Sequence, residues 1–346
     1  NRARVPRQYR GGKRKKDGKK TEKRNDTENR GRRRFLKEML TASTAGAAAL
    51  SLEERALLAS EEESGHSPSP AQNADDMPTG RIGDLELSRL VCGGNLISGF
   101  AHDRDLLYVS SLLKHYFTDE KILETLRICE QNGVNAAAIR VAEPEIKLIR
   151  RYRKETGGDL KWLAQCYLGD RDLTASAKAA IDNGAAAVYL QGGICDRLVR
   201  EDRLDVIAEV VEFVQENGLP AGVGGHNLEV PMACEAMDIG ADFYMKTFHP
   251  GDYWSFTPER EEDNSWCSSA EETANFMSTV DKPWIAYKVL AAGAIHPREG
   301  FPYAFRHGAD FLCVGMFDWQ IAEDAHIAGR AVSQVAQADR DRPWRG

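Results

Sequence analysis

The sequence lacks the features that would place it in several large classes of protein. It contains no run of about 18 apolar residues, so we expect no membrane-spanning helix. Its seven cysteines are widely dispersed and form no C-x-x-C pair, a pattern that indicates neither a zinc site nor a disulfide framework. Most of them stand inside apolar runs, and we predict that they are small core residues.

Positive charge is scarce outside the N-terminal region. The first 40 residues contain 17 lysines and arginines against 5 acidic residues, whereas the whole chain carries a net charge of −7. The remaining 306 residues therefore carry −19. An acidic body lacks the clustered positive field that nucleic acids and anionic membranes require, so we predict no nucleic-acid partner.

A motif within the basic region indicates export. Arg32-Arg33-Arg34-Phe35-Leu36-Lys37 precedes a charge-free run from Met39 to Leu52 that is rich in small residues. This arrangement resembles the twin-arginine signal of bacterial export, which is a receptor-read address. The resemblance implies that the twin-arginine translocation machinery exports the protein, already folded, to the periplasm. A basic disordered arm is the alternative, but it would not explain Phe-Leu-Lys or the run that follows.

A linker is predicted between this signal and the folded part of the chain. Residues 53–77 contain five glutamates before position 64 and then Ser-Pro-Ser-Pro, a composition typical of disorder. We place the processing point in this linker, so residues 1–77 form the basic region, the signal and the linker. Residues 78–346 form one domain, close to the roughly 250-residue size of an eight-fold α/β barrel.

Short apolar runs alternate with amphipathic helical patterns in this domain, which predicts a parallel sheet built from βα units. Helical spacing is clear at 119–132 and 202–217. Several predicted helices end in a glycine just before the next strand, where glycine relieves left-handed backbone strain. The predicted strands are 88–92, 134–140, 160–166, 186–191, 219–223, 241–247, 283–289 and 309–315.

Eight strands are the number that a closed (β/α)8 barrel, the TIM barrel, requires, and we predict this α/β fold. A doubly wound open sheet is the alternative, but no glycine-rich fingerprint follows the first strand. Two long connections, 94–117 and 248–268, leave the carboxyl ends of strands. Barrel enzymes place their chemistry at these ends, and loops of this length are usually functional.

Several short motifs resemble those of an aldo-keto reductase. They are Arg81-Ile82-Gly83, Leu87-Ser88-Arg89-Leu90, Cys92-Gly93-Gly94, Gly133-Val134-Asn135 and Gly222-Val223. In addition, the stretch from Val314-Gly315 to Glu323-Asp324 stands where that family closes its barrel over the cofactor. The likeness spans most of residues 78–337 and implies the same barrel fold.

The resemblance does not extend to the catalytic residues of the family, which reduces carbonyls with NADPH through an Asp, a Tyr, a Lys and a His. Ala138, Gln165 and Gln191 stand at the positions of the Asp, Lys and His. The tyrosine corresponds to Tyr116 or Tyr108, and without the Asp and Lys its pKa would not be lowered.

The acidic residue Asp318 bears on the choice of cofactor. It stands in the loop that would approach the 2′-phosphate of a cofactor, and its charge would repel that anion. The sequence therefore argues against NADPH and leaves NAD open, on a divergent barrel that lacks the usual tetrad.

The strand ends predict a cationic mouth to the barrel. A lysine under the helices would be desolvated without a partner, so we expect both Lys246 and Lys288 to emerge at the open end. Together with Arg140 they would select an anionic substrate or a developing oxyanion. The predicted catalytic residues are Lys246 and Lys288, which stabilise negative charge, and His226, which moves a proton. The predicted substrate-binding residues are Arg140, Gln165, Gln191, Asn95, Asn227 and His249.

Two glycines are predicted to contact a cofactor or another anion. Gly293 follows the seventh strand and leads to a helix opened by His296-Pro297, and Gly315 ends the eighth strand. Many barrels bind phosphate near these two strands. No metal site is predicted, because only His226 and His249 are suitable ligands and cations surround them.

Three functions remain open from the sequence. The first is an exported small-molecule enzyme on an aldo-keto-reductase-like barrel that acts on a carbonyl, sugar-derived or carboxylated substrate. An oxidoreductase is one form of this function. The second is a lyase or aldolase in which Lys246 or Lys288 forms a Schiff base, its pKa lowered by the other ammonium group. The third is a non-catalytic barrel that binds a ligand, which the missing tetrad supports.

Overall fold

The computed structural model describes residues 77–100, 108–169, 171–253, 255–257, 266–336 and 340–346. Eight parallel strands in this part of the chain close into a barrel, with helices between them. The predicted (β/α)8 fold is therefore confirmed. The predicted export signal, the linker and its processing point lie outside the described residues.

A β-hairpin precedes the barrel. Its strands, β1 (Thr79–Ile82) and β2 (Leu85–Ser88), pair antiparallel across a turn at Gly83, whose φ of +59° suits glycine. Ile82 and Leu87 are fully buried and belong to the cluster of apolar side chains inside the barrel. The hairpin thereby packs against the barrel interior from the end that the strands enter.

All eight predicted strands are present, with ends that differ by a few residues. The first barrel strand begins at Leu90 because Ser88, expected to start it, pairs in the hairpin. The strands are β3 (Leu90–Gly93), β4 (Ala136–Arg140), β5 (Lys161–Cys166), β6 (Ala187–Leu190), β7 (Ala221–Gly225), β8 (Phe243–Thr247), β9 (Trp284–Tyr287) and β10 (Phe311–Val314). The order around the barrel is β10-β3-β4-β5-β6-β7-β8-β9, so neighbours in sequence are neighbours in space.

Ten α-helices occur in the described residues. They are α1 (Tyr108–Tyr116), α2 (Asp119–Gln131), α3 (Glu143–Thr156), α4 (Ala175–Asp182), α5 (Gly192–Arg200), α6 (Leu204–Glu216), α7 (Glu229–Ala236), α8 (Ala270–Ser278), α9 (Pro297–Arg306) and α10 (Ile321–Ala336). The helix α1 lies inside the long connection 94–117. Val109, Leu113 and Phe117 recur every four residues there and pack on the core, which explains the helical turn.

Four of the five predicted glycine helix ends are confirmed by backbone geometry. The glycines at 133, 184, 218 and 308 follow helix ends and have positive φ values between 75° and 108°. The prediction at Gly240 is wrong, because α7 ends at Ala236 and Asp238, with a φ of +51°, takes the left-handed conformation there. At the start of α9 the side chain of His296 accepts a hydrogen bond from the N–H of Arg298. That helix was also predicted.

Apolar side chains form two layers. Alternate residues of each strand fill the barrel interior, and the intervening residues pack against the helices. Seven free cysteines are found, six of them buried, as expected for core residues. No helix in the described residues has the length and apolar character needed to cross a membrane.

An ion-paired network lies near the start of β10. The carboxylate of Asp310 is fully buried and accepts hydrogen bonds from Arg342, 2.5 Å away, and from the N–H groups of Trp284 and Arg345 at 2.9 Å each. Arg342 is also buried and donates to main-chain carbonyls. The C-terminal residues 340–346 are thereby attached to the barrel.

Candidate active site

A cavity of about 920 Å³ opens at the carboxyl ends of the barrel strands. Its floor consists of the last inward-facing side chains of the strands, and its walls come from the following loops and helices, including Val109 and Leu113 of α1. The floor residues are Ala138, Arg140, Gln165, Tyr189, Met245, Tyr287 and Cys313. This is the end at which barrel enzymes carry out their chemistry.

A histidine and an aspartate form a hydrogen-bonded pair in this cavity. His226 follows β7, and Asp196 lies one turn into α5; both line the cavity and both are largely buried. The ring Nδ1 of His226 lies 2.7 Å from Oδ2 of Asp196. Because Asp196 accepts at Nδ1, the neutral ring carries its proton there, and Nε2 is the nitrogen able to exchange a proton.

The protonation of His226 reflects its surroundings. Burial is the main cause that lowers the pKa of this histidine, and the charges of Lys288 and Lys246 act in the same direction. Asp196 opposes them and raises the pKa. The net direction is downward, so the ring is neutral at neutral pH and can act as a base.

Lys288 reaches the cavity through an unusual backbone. It follows β9 with a φ of +59°, and Ala291, Ala292 and Gly293 also have positive φ. Each non-glycine residue in this conformation costs about 1–3 kcal/mol, and such residues are concentrated at functional sites. The ammonium group of Lys288 lies 3.8 Å from the centre of the Trp266 ring, a cation–π contact at the cavity wall.

The side chain of Tyr287 lies beside that of His226 in the same cavity. The hydroxyl is buried and has no hydrogen-bond partner among the described residues. Its ring centre is 5.5 Å from that of His226. A Cβ atom at Gly192 would lie 2.7 Å from the hydroxyl, so glycine is needed where α5 begins. Burial raises the pKa of Tyr287 well above its usual value, which keeps the hydroxyl protonated as a donor.

A row of polar groups crosses the opposite part of the floor. Gln165 donates from Nε2 to the hydroxyl of Tyr189 at 3.1 Å and accepts from the hydroxyl of Tyr167 at 2.9 Å. The guanidinium of Arg140 lies 5.2 Å from the ring of Phe100 and 5.6 Å from that of Tyr167. Its buried Nε has no hydrogen-bond partner among the described residues, and it forms an ion pair with Glu145 at 3.7 Å.

Of the remaining predicted substrate-binding residues, Gln191 and Asn95 line the cavity and Asn227 does not. Gln191 lines the cavity and caps α5, where its side chain accepts from the N–H of Ile194 at 2.9 Å. Asn95 is exposed and also lines the cavity. Asn227 is outside the lining, and its main-chain N–H donates to Asp196 at 3.0 Å.

The expectation that Lys246 emerges at the open end is wrong. Lys246 is only 2% exposed, is outside the cavity lining and shares with Tyr244 the face of β8 that packs toward the helices. Its ammonium group is satisfied there by donating to the main-chain oxygen and the hydroxyl of Thr247, each at 2.9 Å. A lysine under the helices therefore does have acceptors.

His249 is likewise absent from the cavity lining, where we expected it to contact substrate. It is 1% exposed, and both ring nitrogens are engaged by main-chain groups. Burial is the main cause that lowers its pKa to about 4.

Two carboxylates in the cavity were not among the predicted site residues, because those were taken from the strand ends. Asp196 lies just after the first turn of α5 and Asp324 lies in the first turn of α10, and both helices follow strands. The signal that could have revealed them is their place just after β6 and β10. Burial, aided by Glu323, raises the pKa of Asp324 to about 7.

Three cationic and two acidic side chains of the described residues line the cavity. They are Arg140, Arg200 and Lys288, and Asp196 and Asp324, of which Asp196 is paired with His226 and Arg140 with Glu145. Of the two lysines expected at the barrel mouth, Lys288 lines the cavity and Lys246 lies behind it.

The tyrosines considered as counterparts of the reductase tyrosine lie elsewhere. Tyr108 is 65% exposed, and the hydroxyl of Tyr116 donates to Asp318 at 2.5 Å. Asp318 also pairs with Lys121 at 3.0 Å and is outside the cavity lining. Its charge therefore provides no ground for excluding a cofactor 2′-phosphate, contrary to the argument from sequence.

Gly293 and Gly315 line the cavity, but backbone conformation accounts for the first and local packing for the second. Gly293 has a φ of +91°, and a Cβ atom at Gly315 would approach Leu96 to 3.1 Å. Asp324 and Lys288 are the charged residues of the lining nearest to these glycines in sequence. Cofactor contact by the two glycines remains a prediction. The described residues contain no cluster of three His, Cys, Asp or Glu that could hold a metal ion.

Comparison with known proteins supports the fold. No family model matches the sequence, and no curated protein matches it. Among solved structures, a protein of Pseudomonas aeruginosa assigned as an aldo-keto reductase is similar at 15% identity and a TM-score of 0.50, over 76% of this chain and 98% of that chain.

Two further structures are similar at lower scores. The N-acetylneuraminic acid synthetase of Leptospira borgpetersenii has 9% identity and a TM-score of 0.44, over 77% of this chain and 93% of its own. The Bacillus subtilis spore coat polysaccharide biosynthesis protein spsE has 10% identity and a TM-score of 0.45, over 75% of this chain and 74% of its own.

Proposed function

We propose that this protein is an exported enzyme that removes and returns a proton at the carbon next to a carbonyl group of a small anionic substrate. The substrate class is a carbonyl, sugar-derived or carboxylated compound. The observation that carries the proposal is the Asp196–His226 pair, which lies beside Lys288 and Tyr287 in one cavity. A general base, the residue that orients it and donors for an oxyanion are the groups that such chemistry requires.

Each of these groups has a distinct role. His226 removes or returns a proton through Nε2, while Asp196 holds the ring and stabilises its protonated form. The hydroxyl of Tyr287 and the ammonium of Lys288 bind the substrate oxygen on which negative charge develops. A positioned acid–base group of this kind contributes about 10²–10⁴-fold to a rate.

The polar part of the floor supports the substrate class. Arg140 offers a cation for a carboxylate or a comparable anion, and the Gln165 row offers donors and acceptors for hydroxyl groups. A hydroxylated acid or ketose derivative would match this combination. An oxidoreductase on this barrel would use a bound nicotinamide, and its contact with Gly293 and Gly315 is a prediction.

A Schiff-base lyase is the second candidate, and one observation favours it. Lys288 lines the cavity near a histidine, whereas Lys246 does not line it, so Lys288 is the residue that could form the imine. Borohydride treatment with candidate carbonyl compounds distinguishes the candidates. A stable adduct on Lys288 supports the lyase, and its absence supports acid–base chemistry without a covalent intermediate.

Deuterium incorporation tests the main proposal. Purified protein is incubated in D₂O with a panel of hydroxy acids, keto acids and sugar acids, and loss of the proton signal next to the carbonyl is followed by NMR. We expect exchange with the wild type, none with His226→Gln and normal exchange with His115→Gln, a change at an exposed histidine of α1. Exchange that survives His226→Gln would refute the role of the histidine, and absence of any exchange would favour a ligand-binding barrel.

Export is proposed from the sequence motif and is tested separately. Replacing Arg32 and Arg33 together by lysine preserves the charge but removes the arginine pair. We expect the wild-type chain in the periplasm and the variant in the cytoplasm of an expressing bacterium with a twin-arginine system. Equal export of both chains would show that this motif is not the signal.

A further inference from the structure

We propose that Lys246 and His249 are positioning residues that hold Trp266 against His226 and Lys288. This inference rests on the function proposed for that site. Both residues are buried behind the cavity and act on it through the main chain around Trp266, which lines it.

His249 fixes the main-chain N–H groups at Trp266. Its Nε2 lies 3.1 Å from the N–H of Trp266 and 3.0 Å from that of Cys267, and it accepts from both. Its Nδ1 is 2.9 Å from the carbonyl oxygen of Pro250 and donates to it. Only a neutral imidazole can accept at one nitrogen while donating from the other. The ring therefore ties the chain just after β8 to the chain just before α8.

Lys246 orders the neighbouring hydroxyl group. Its ammonium donates to the hydroxyl and to the carbonyl oxygen of Thr247, each at 2.9 Å. The Thr247 hydroxyl in turn lies 2.8 Å from the carbonyl oxygen of His226 and 3.3 Å from that of Trp266. Because the hydroxyl accepts from the lysine, its single hydrogen is directed to these carbonyls.

The contacts of His249 and of Thr247 meet at the main chain of one residue, Trp266. The N–H of Trp266 is held by His249, and its carbonyl oxygen lies next to Thr247. Its indole ring is consequently fixed 4.6 Å from the ring of His226 and 3.8 Å from the ammonium of Lys288. The indole covers one face of the histidine and places the lysine, so it contributes to the burial that lowers the pKa of His226.

The test measures His226 directly, without requiring a substrate. The pKa of its ring is followed by NMR in the full chain for the wild type, Lys246→Met, His249→Leu and Trp266→Leu. The groups that act on this ring are Asp196, Lys288 and Lys246. We expect the pKa to rise in His249→Leu and Trp266→Leu, because water reaches the ring or Lys288 loses its place. In Lys246→Met the loss of the lysine charge raises the pKa by itself, so for this variant the amide exchange of Trp266 reports on positioning.

Hydrogen exchange supplies a second measurement. We expect the amides of Trp266 and Cys267 to exchange about tenfold faster or more in His249→Leu, because local opening becomes easier. His249→Gln keeps an acceptor and should restore slow exchange at one or both amides. Lys246→Arg keeps the cation and should restore the pKa of His226 toward its wild-type value.

The failure of this inference differs from the failure of the proposed function. If Lys246→Met and His249→Leu fold with unchanged His226 pKa and unchanged amide exchange, they are structural residues only and the inference is refuted. If they do not fold, an unchanged pKa in Trp266→Leu refutes it. If the pKa moves as expected but no deuterium enters any substrate, the positioning is correct and the proposed function alone fails.

Discussion

The carboxylate of Asp196 holds His226 by both its ring and its main chain. Oδ2 lies 2.7 Å from Nδ1 of the ring, and Oδ1 accepts from the main-chain N–H of His226 at 3.0 Å. The next N–H, that of Asn227, donates to the same oxygen at 3.0 Å. Because one side chain fixes both the ring and the loop that carries it, the direction of Nε2 is set before any substrate binds.

Asp196→Asn should reduce proton transfer by about 10²-fold or more, because the amide no longer stabilises a protonated ring. The pKa of His226 should fall further in this variant, because the Asp196 carboxylate raises it in the wild type. NMR titration and deuterium incorporation check the two effects. Asp182→Asn, a change at an exposed ion pair of α4, should alter neither. Wild-type exchange in Asp196→Asn would contradict the paired role.

Acid should destabilise the protein through His249. The pKa of this residue is 6.5 in an unfolded chain and about 4 in the folded one. Between these pH values the unfolded chain binds a proton that the folded chain does not, so the free energy of unfolding falls as the pH falls from 6.5 to 4. The loss amounts to about 3 kcal/mol.

Urea unfolding at several pH values measures the acid effect. His249→Gln, which keeps an acceptor but cannot titrate, should show a smaller loss of stability over the same range. His226 contributes in the same direction, because its pKa is also lowered. An equal loss in the variant and the wild type would mean that His249 is not the group responsible.

Asp324 should act in the opposite direction. Burial raises its pKa from 3.8 to about 7, so the folded chain binds a proton that the unfolded chain has lost. This contribution to stability disappears as the pH rises through 7. Asp324→Asn should therefore become more stable than the wild type as the pH increases from 4 to 8, by up to about 4 kcal/mol. Denaturation of both proteins at the two pH values decides this, and a constant difference would contradict it.

Lys288 should carry a measurable backbone cost. Its φ of +59° is readily adopted by glycine and unfavourable for other residues. Lys288→Gly and Lys288→Ala both remove the ammonium group, but the glycine variant should be more stable by about 1–2 kcal/mol. Urea unfolding compares the pair, and equal stabilities would show that the backbone at 288 is not strained. Both variants should lose proton transfer.

The buried Asp310 should be important for stability but not for the site. Asp310→Asn leaves the guanidinium of Arg342 without its charged partner and should cost about 3–5 kcal/mol. Asp341→Asn, at a half-exposed pair with His307, should cost less than about 1 kcal/mol. Thermal and urea unfolding measure both changes. Comparable losses in the two variants would contradict the importance of the buried pair.

Much of the fold was determined by local features of the sequence. Each strand is a short apolar run, and glycine ends several of the helices with the left-handed conformation that the structure shows, as at Gly133 and Gly218. These signals act within a few residues, so they could be read without coordinates. The strand ends likewise indicated that Arg140, Gln165 and His226 would line one cavity, because parallel strands bring their carboxyl ends together.

The tertiary structure decided which lysine reaches the cavity. Lys246 lies within β8, where strict alternation turns it toward the helices and Thr247 supplies its acceptors. Lys288 follows the end of β9, where a left-handed backbone interrupts that alternation. Asp196 and Asp324 reach the cavity from helices, and their place depends on how those helices pack. The sequence by itself determined the barrel and its polar end, whereas side-chain direction and long-range packing determined the residues that meet there.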